Sequence, residues 1–385
     1  MSKLYNKEIS MCSTELAADT SLTPVWDPSI PFPSAHEMVD LDVITHVSVE
    51  KAKPGGYYYL HEATIQFHKG LFYMGFANHR TAETGDHNEL VRGCTSKNAI
   101  QWSEPEIWAE SPLINATSIN HPLLFSHQGK LYGFFVCWYE AHIPMTEIFV
   151  LNEDNEVWEH RPESTIEGFV PFCTPQKMID GNWLIGGEHW WYDSAVAISD
   201  GDNFLKWTRI DIPRPEHMKL LYPESAVVDF GNGHLLNLCR PYNGNSKLQP
   251  LHEPQKMPTS PVSESFDGGH TWTPLSMSNF PLSDSQPFAG RLSTGHNYLL
   301  TNGLEDGRGL LSIAIAKPNE TVFSKIFKVR HNHWPQRRLF SNAVGAKTEW
   351  SYPNAFEHEG QLYIAYTHGK EDCVLSIIPV EVLAE

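Results

Sequence analysis

Basic residues are scarce in this chain of 385 residues: 28 Lys and Arg stand against 46 Asp and Glu, a formal net charge of −18. That balance excludes a general binder of the phosphate backbone, whose affinity rests on clustered Lys and Arg, so no nucleic-acid partner is expected. No apolar run approaches the roughly 18 residues a membrane span needs, so no membrane partner is expected either. Residues 1–19, MSKLYNKEISMCSTELAAD, hold Lys3 but no continuous apolar stretch. No secretory signal is read there, and a cytoplasmic setting is expected. The six cysteines, Cys12, Cys94, Cys137, Cys173, Cys239 and Cys373, lie far apart with no CxxC or Cys/His cluster. They read as small buried hydrophobes rather than a disulfide frame or zinc site. Disorder is excluded in turn, because 41% hydrophobic and 12% aromatic residues supply a large core.

What is present is a repeat. A β-rich run, a polar turn with Gly and a second β-rich run recur from His61, His121, Cys173, Pro223, Pro287 and Pro353, about 50 to 65 residues apart. Further strand-like segments lie between the copies, among them ELVRGCTS, AVAISD and LLSIAIAK, each followed by a Trp- or Phe-bearing run. Four strands per unit around an axis is the pattern of an all-β propeller, with six blades favoured. Seven are allowed for if residues 23–53 or 331–350 hide another. The last copy lacks residues for a fourth strand, so Asp40 to Val49, DLDVITHVSV, is expected to close the ring from the N-terminal side. The domain reading is an N-terminal extension over 1–39 and one propeller over 40–385. A β-sandwich with a second domain explains the strands but not their spacing.

One motif is complete. Ser265-Phe266-Asp267-Gly268-Gly269-His270-Thr271-Trp272 fits S-x-D-x-G-x-T-W, in which Asp and Ser bond turn amides, Gly permits positive φ and Trp packs between blades. Degenerate versions occur at Ser96 to Trp102 and at Ser199-Asp200-Gly201 with Trp207 beyond. The motif resembles the Asp-box of the sialidase-like, BNR-repeat propellers. In that superfamily the turn is peripheral, and the resemblance implies glycan recognition through sialidases, other exo-glycosidases or lyases of uronate-containing glycans.

The copies, superimposed on their turn glycines, bring polar residues into register at the expected central channel. First-strand starts supply His61 and Glu62, His121, Thr174, Glu224, Gln286 and Asn354. Second-strand ends supply Asn78 and His79, Trp138 and Tyr139, Glu188 and His189, Arg240 and Tyr242, Asn302, and His368. Five of the chain's 20 histidines share these positions, where a structural core would place Val, Leu or Ala.

Two chemistries compete for such a ring. A hydrolase needs two carboxylates, or a Tyr in place of one, for which Glu62, Glu188, Glu224, Tyr242 and Tyr352 are candidates. The sialidase resemblance further implies three arginines, the first in an Arg-Ile-Pro motif, yet no Arg precedes Arg80. Arg80, Arg240 and Arg308 can be assembled into such a set, but only Arg240 sits at a matching strand end. The resemblance to propeller-type ulvan and rhamnosyl-glucuronate lyases implies β-elimination with histidine and tyrosine as base and acid. On that preferred reading His79 or His121 is the base, Tyr139 or Tyr242 the acid, and Arg240 the carboxylate binder. His61, Asn78, Trp138, Glu188, His189, Glu224, Asn302 and His368 bind substrate, an anionic oligosaccharide or polysaccharide containing uronate. No cofactor is required, although His61, His79, His121 and His189 form an alternative metal set. A non-catalytic glycan-binding propeller is the remaining alternative.

Overall fold

The structure is a computed structural model. It describes residues 21–385 except 82, 84–85, 112–114, 140–142, 191, 242–258, 304–307 and 332–348. Among the described residues six sheets, antiparallel but for one short parallel edge strand, follow one another along the chain as blades one to six of a β-propeller. Blade one comprises Tyr59–His68, Leu71–His79, Leu90–Ser96 and Glu106–Ala109. Blade two comprises Ser118–His127, Lys130–Trp138, Pro144–Asn152 and Val157–Glu167. In blade three the inner strand is split into Phe169–Pro171 and Gln176–Lys177, ahead of Trp183–His189, Asp193–Asp200 and Asn203–Asp211. Pro175 lies in the gap and has no N–H to offer the ladder. Blade four holds Ser225–Gly231, His234–Cys239, Thr259–Ser265 and Ser276–Pro281; blade five holds Phe288–Arg291, Asn297–Asn302, Leu310–Ala316 and Lys325–His331.

Blade six is built from both ends of the described chain. Trp350–His358, Gln361–His368 and Asp372–Pro379 are completed by Thr45–Glu50, which pairs antiparallel with Asp372–Pro379. The closing strand is shorter than the Asp40 to Val49 expected from sequence. Val39–Asp40 pairs instead with Lys325–His331 of blade five, and a turn closed by Ile44 N–H on the Leu41 carbonyl separates the two. Leu41 and Ile44 both pack against the core between blades five and six, and burying both forces that turn. Residues 23–53 form no seventh sheet. Within them, Val25, Trp26, Phe32, Ala35 and Met38 pack into the core shared by blades four and five. Asn279 Oδ1 accepts from the backbone N–H of both Val25 and Trp26, at 2.8 and 2.9 Å.

Neighbouring blades bury one another's faces, so some strands are apolar throughout; Leu310–Ala316 is buried at every position. Close stacking demands small residues at particular points. A Cβ at Gly93 would lie 2.1 Å from the Trp108 ring, which therefore lies flat on the strand. The complete S-x-D-x-G-x-T-W motif closes the turn between the third and fourth strands of blade four. Asp267 Oδ1 accepts from the N–H of His270 and Thr271 at 3.0 and 2.9 Å, and Ser265 Oγ accepts from Gly269 N–H at 2.8 Å. Trp272, anchored to the Gly269 carbonyl, fills the core between blades three and four. In the degenerate copies Trp102 and Trp207 make the same indole-to-carbonyl bond three residues back, to Ala99 and Phe204.

Candidate active site

First strands begin, and second strands end, at the opposite end of the channel from these turns. In blades one, two and six the first strand carries the same irregularity there. Between His61 and Thr64, Asn120 and Leu123, and Ser351 and Asn354, two residues face a single partner. The first of each bulged pair is left-handed: Glu62 at φ 58°, His121 at φ 42° and Tyr352 at φ 58°. Bulges re-aim side chains, and non-glycine residues adopt this backbone only where the surroundings compel it. All three side chains line one central cleft with Phe172, Gln286 and Asn354. The free space in it, about 20 Å³, is enough for little more than a water.

Two polar pairs meet at this cleft. Glu62 accepts the His121 backbone N–H at 2.7 Å, and its other oxygen lies 3.0 Å from His121 Nε2. Burial pushes the Glu62 carboxyl well above its ordinary value, with Glu89 adding to the effect, and burial drives His121 down to about 3. The shared proton therefore rests on Glu62 and the imidazole is neutral. On the other side, the Tyr352 hydroxyl donates to Glu224 Oε1, and Arg240 Nη1 donates to both, at 2.9 Å to Glu224 and 3.2 Å to Tyr352. Burial, reinforced by Glu224, raises the Tyr352 phenol well above its usual range, so it stays protonated at rest. The Arg308 guanidinium lies 5.3 Å from the Tyr352 ring centre and is held by the Asp284 carbonyl. Glu188 is also raised, first by burial and then by the charge of Glu224, against the pull of Arg240.

The remaining residues picked from sequence separate clearly. His121 lines the cleft, Glu224 and Arg240 join it through their bonds to Tyr352, and Glu188 lies near enough to feel the charges of both. His61 packs against Tyr352: the ring is fully buried, 4.1 Å from that of Tyr352, and bonds Thr367 Oγ1 at 2.8 Å. Trp138 packs beneath Tyr352 and donates to Asn120 at 2.7 Å. His79 lies outside the cluster, since Asp86 holds its Nε2 at 3.1 Å and Thr81 donates to its Nδ1. Tyr139 likewise turns away, donating to Glu147 at 3.1 Å. Asn78 ties the Tyr59 carbonyl to Arg92, His189 pairs with Asp211, and His368 stacks on Trp350 at 4.2 Å. Asn302 clamps the Leu310 and Trp350 carbonyls. Tyr242 lies outside the described residues.

The histidines thus share a repeat position without facing one another. Each found its own acceptor or donor first, because every second-strand end abuts a different loop. Among the described residues no group of three or more His, Cys, Asp or Glu is arranged to hold a metal. Arg80 stands over the Tyr57 ring rather than joining Arg240 and Arg308. In the sequence Tyr352 is one of two tyrosine candidates for a hydrolase, and Arg308 occupies no position shared by the repeats. The signal that singles out Tyr352 is local: in two of the three bulges the aimed residue precedes proline, as in His121-Pro122 and Tyr352-Pro353.

A family model described as the BNR repeat-like domain matches residues 73–364. The chain belongs to that family. Among solved structures, this BNR repeat-like propeller is similar to a protein of unknown function from Dyadobacter fermentans, with TM-score 0.63 and 13% identity over 88% of this chain and 99% of that one. It is also similar to the Hadza microbial sialidase Hz136, with TM-score 0.64 and 11% identity over 88% of this chain and 69% of that one. Trypanosoma rangeli sialidase follows with TM-score 0.56 and 12% identity over 89% of this chain; the chain spans 61% of that enzyme. At such identities these likenesses show the fold alone, a β-propeller like that of the two sialidases. No curated protein sequence matches the chain.

Proposed function

We propose that this propeller is a retaining glycoside hydrolase that uses Tyr352 as nucleophile. The observation that carries the reading is the hydrogen-bonded Tyr352–Glu224–Arg240 group beside the Glu62–His121 pair at one cleft. A neutral phenol is a weak nucleophile, and an adjacent carboxylate can take its proton as it attacks. Tyr352 Oη bonds to the anomeric carbon, its proton passes to Glu224, and the C–O bond to the leaving group breaks. Glu62, which holds the proton shared with His121, protonates the departing oxygen. Water then attacks the glycosyl-tyrosine, giving one proton to Glu62, and Tyr352 recovers its own from Glu224. Arg240, donating to both Glu224 and the Tyr352 oxygen, holds the base and the nucleophile in line for that transfer.

Elimination fits the site less well. Two of the residues expected to carry it, His79 and Tyr139, are bonded elsewhere, and the low basicity of His121 makes it a poor acceptor for a carbon-bound proton. The test is to incubate the protein with a panel of aryl glycosides and neutral and anionic oligosaccharides. New reducing ends with retained anomeric configuration are expected, without near-ultraviolet absorbance from an unsaturated product. Tyr352→Phe should lower kcat/KM by at least about 10²-fold; undiminished cleavage by that variant overturns the assignment.

A further inference from the structure

Among the described residues four aromatic side chains are exposed: Trp190 at 43%, Tyr192 at 50%, Tyr222 at 41% and Phe266 at 65%. Phe266 belongs to the blade-four turn at the far end of the channel, where it stacks on His234 with ring centres 4.8 Å apart. The other three gather at the cleft end. Trp190 and Tyr192 follow the strand Trp183–His189 of blade three, whose last residues are Glu188 and His189, and Tyr222 lies two residues before Glu224. Large aromatic surface left in water forgoes the free energy of burial, so a cluster of it at one rim calls for an occupant.

The backbone supports the same conclusion. Trp190 at φ 46° and Tyr222 at φ 53° are left-handed, a conformation unfavourable for bulky L-residues. The fold thus holds these rings outward against local preference, as it holds Glu62, His121 and Tyr352 inward. Behind the rings stands the catalytic group: the Arg240 guanidinium lies 5.7 Å from the centre of the Tyr222 ring. Glu188 is only 3% exposed, yet its Oε2 has no hydrogen-bond partner among the described residues. A buried carboxyl oxygen without a partner is costly unless a ligand supplies one. The phenol of Tyr222 is raised by burial first and by Glu188 and Tyr192 as well, which reflects how close the three groups lie.

We propose that Trp190, Tyr192 and Tyr222 form a subsite for the leaving-group sugar, a neutral pyranose whose apolar face stacks on the rings while one hydroxyl bonds Glu188. The role assigned to the occupant rests on the hydrolase reading above: the sugar that Tyr352 attacks sits over the mouth of the cleft, whose enclosed space holds little more than a water, so the next residue of the substrate lies at the rim. Hydroxyl-rich rings have an apolar C–H face suited to aromatic stacking, and the uncharged form of Glu188 can both donate and accept.

Calorimetric titration of the full chain carrying Tyr352→Phe tests the subsite without turnover. The probes are cellobiose, lactose, maltose, chitobiose and N-acetyllactosamine. At least one is expected to bind at millimolar concentration or below, and Trp190→Ala combined with Tyr222→Ala should weaken it by about tenfold per ring removed. Tyr222→Phe, which keeps the ring, should retain affinity within about threefold, and this separates stacking from a folding defect. Failure of every probe to bind, or equal binding by the ring-deleted variant, overturns the proposal. Cleavage that survives Tyr352→Phe would instead defeat the nucleophile assignment and leave the binding result standing, so the two failures are distinguishable.

Discussion

Glu62 and His121 show how burial decides the state of a residue that composition leaves open. In water a carboxyl and an imidazole 3.0 Å apart form an ion pair; in this cleft desolvation moves the proton to Glu62. Glu62 therefore keeps its proton above the ordinary carboxylate range, as the acid proposed for it must. The basic limb of the pH profile of kcat/KM should lie well above pH 4.5, and Glu62→Gln should abolish that limb with a loss of about 10²-fold or more. With a dinitrophenyl leaving group, which departs without protonation, the loss should shrink; an equal loss on all leaving groups assigns Glu62 a different role. Glu89 offers a second measurement. Burial, then Glu83, pushes it up to about 8. Its folded value exceeds its unfolded one, so the unfolded state ionises first and stability falls as pH rises from about 4.5 to about 8. Glu89→Gln keeps the contact with Asn120 and should flatten that decline, by an order of a few kcal/mol at pH 8, in denaturant titrations at the two extremes.

At the scale of the element, the bulge is what turns a strand into a site. Three blades share it, and the two bulged residues facing one partner carry Glu62, His121 and Tyr352 into the channel, whereas regular alternation would bury some of them in the sheet. The turn of blade four does the opposite work, far from the chemistry. Burial opposes ionisation of Asp267, but the hydrogen bonds from Thr271, Ser265 and His270 outweigh it and hold the carboxyl down at about 2. Asp267→Ala releases the His270 and Thr271 amides. It should destabilise the protein by about 1–2 kcal/mol in equilibrium unfolding while kcat/KM stays within twofold. A larger effect on turnover than on stability contradicts the separation of turn and site.

The whole molecule is a ring, and rings depend on closure. Thr45–Glu50 covers the outer edge of Asp372–Pro379 in blade six, and Val47 buries its side chain in the core between blades six and one. Val47→Asp should cost several kcal/mol by placing a carboxylate in that core. Because each blade is packed on two neighbours, tryptophan fluorescence and far-ultraviolet circular dichroism should lose their signals at one shifted midpoint. Separate midpoints for the two probes show that the seam opens without the rest.

Much of this architecture is legible in the chain itself, because period-two alternation, turn glycines and the S-x-D-x-G-x-T-W turn act through neighbours a few residues apart. Repetition of that local pattern six times dictates a propeller, and the missing fourth strand of the last copy points to closure from the N-terminal side. Register by repeat also places Glu188, Glu224, Arg240 and His121 at the cleft end of the channel. Which of the co-registered side chains face one another was settled only in three dimensions. Asp86 took His79, Glu147 took Tyr139 and Asp211 took His189, each partner coming from a loop or strand whose approach no repeat encodes. Tyr352 became central through a left-handed bulge and a carboxylate 128 positions away in the chain. Fold follows from short-range periodicity; the site follows from long-range contacts and the dielectric they create, and those exist only once the ring has closed.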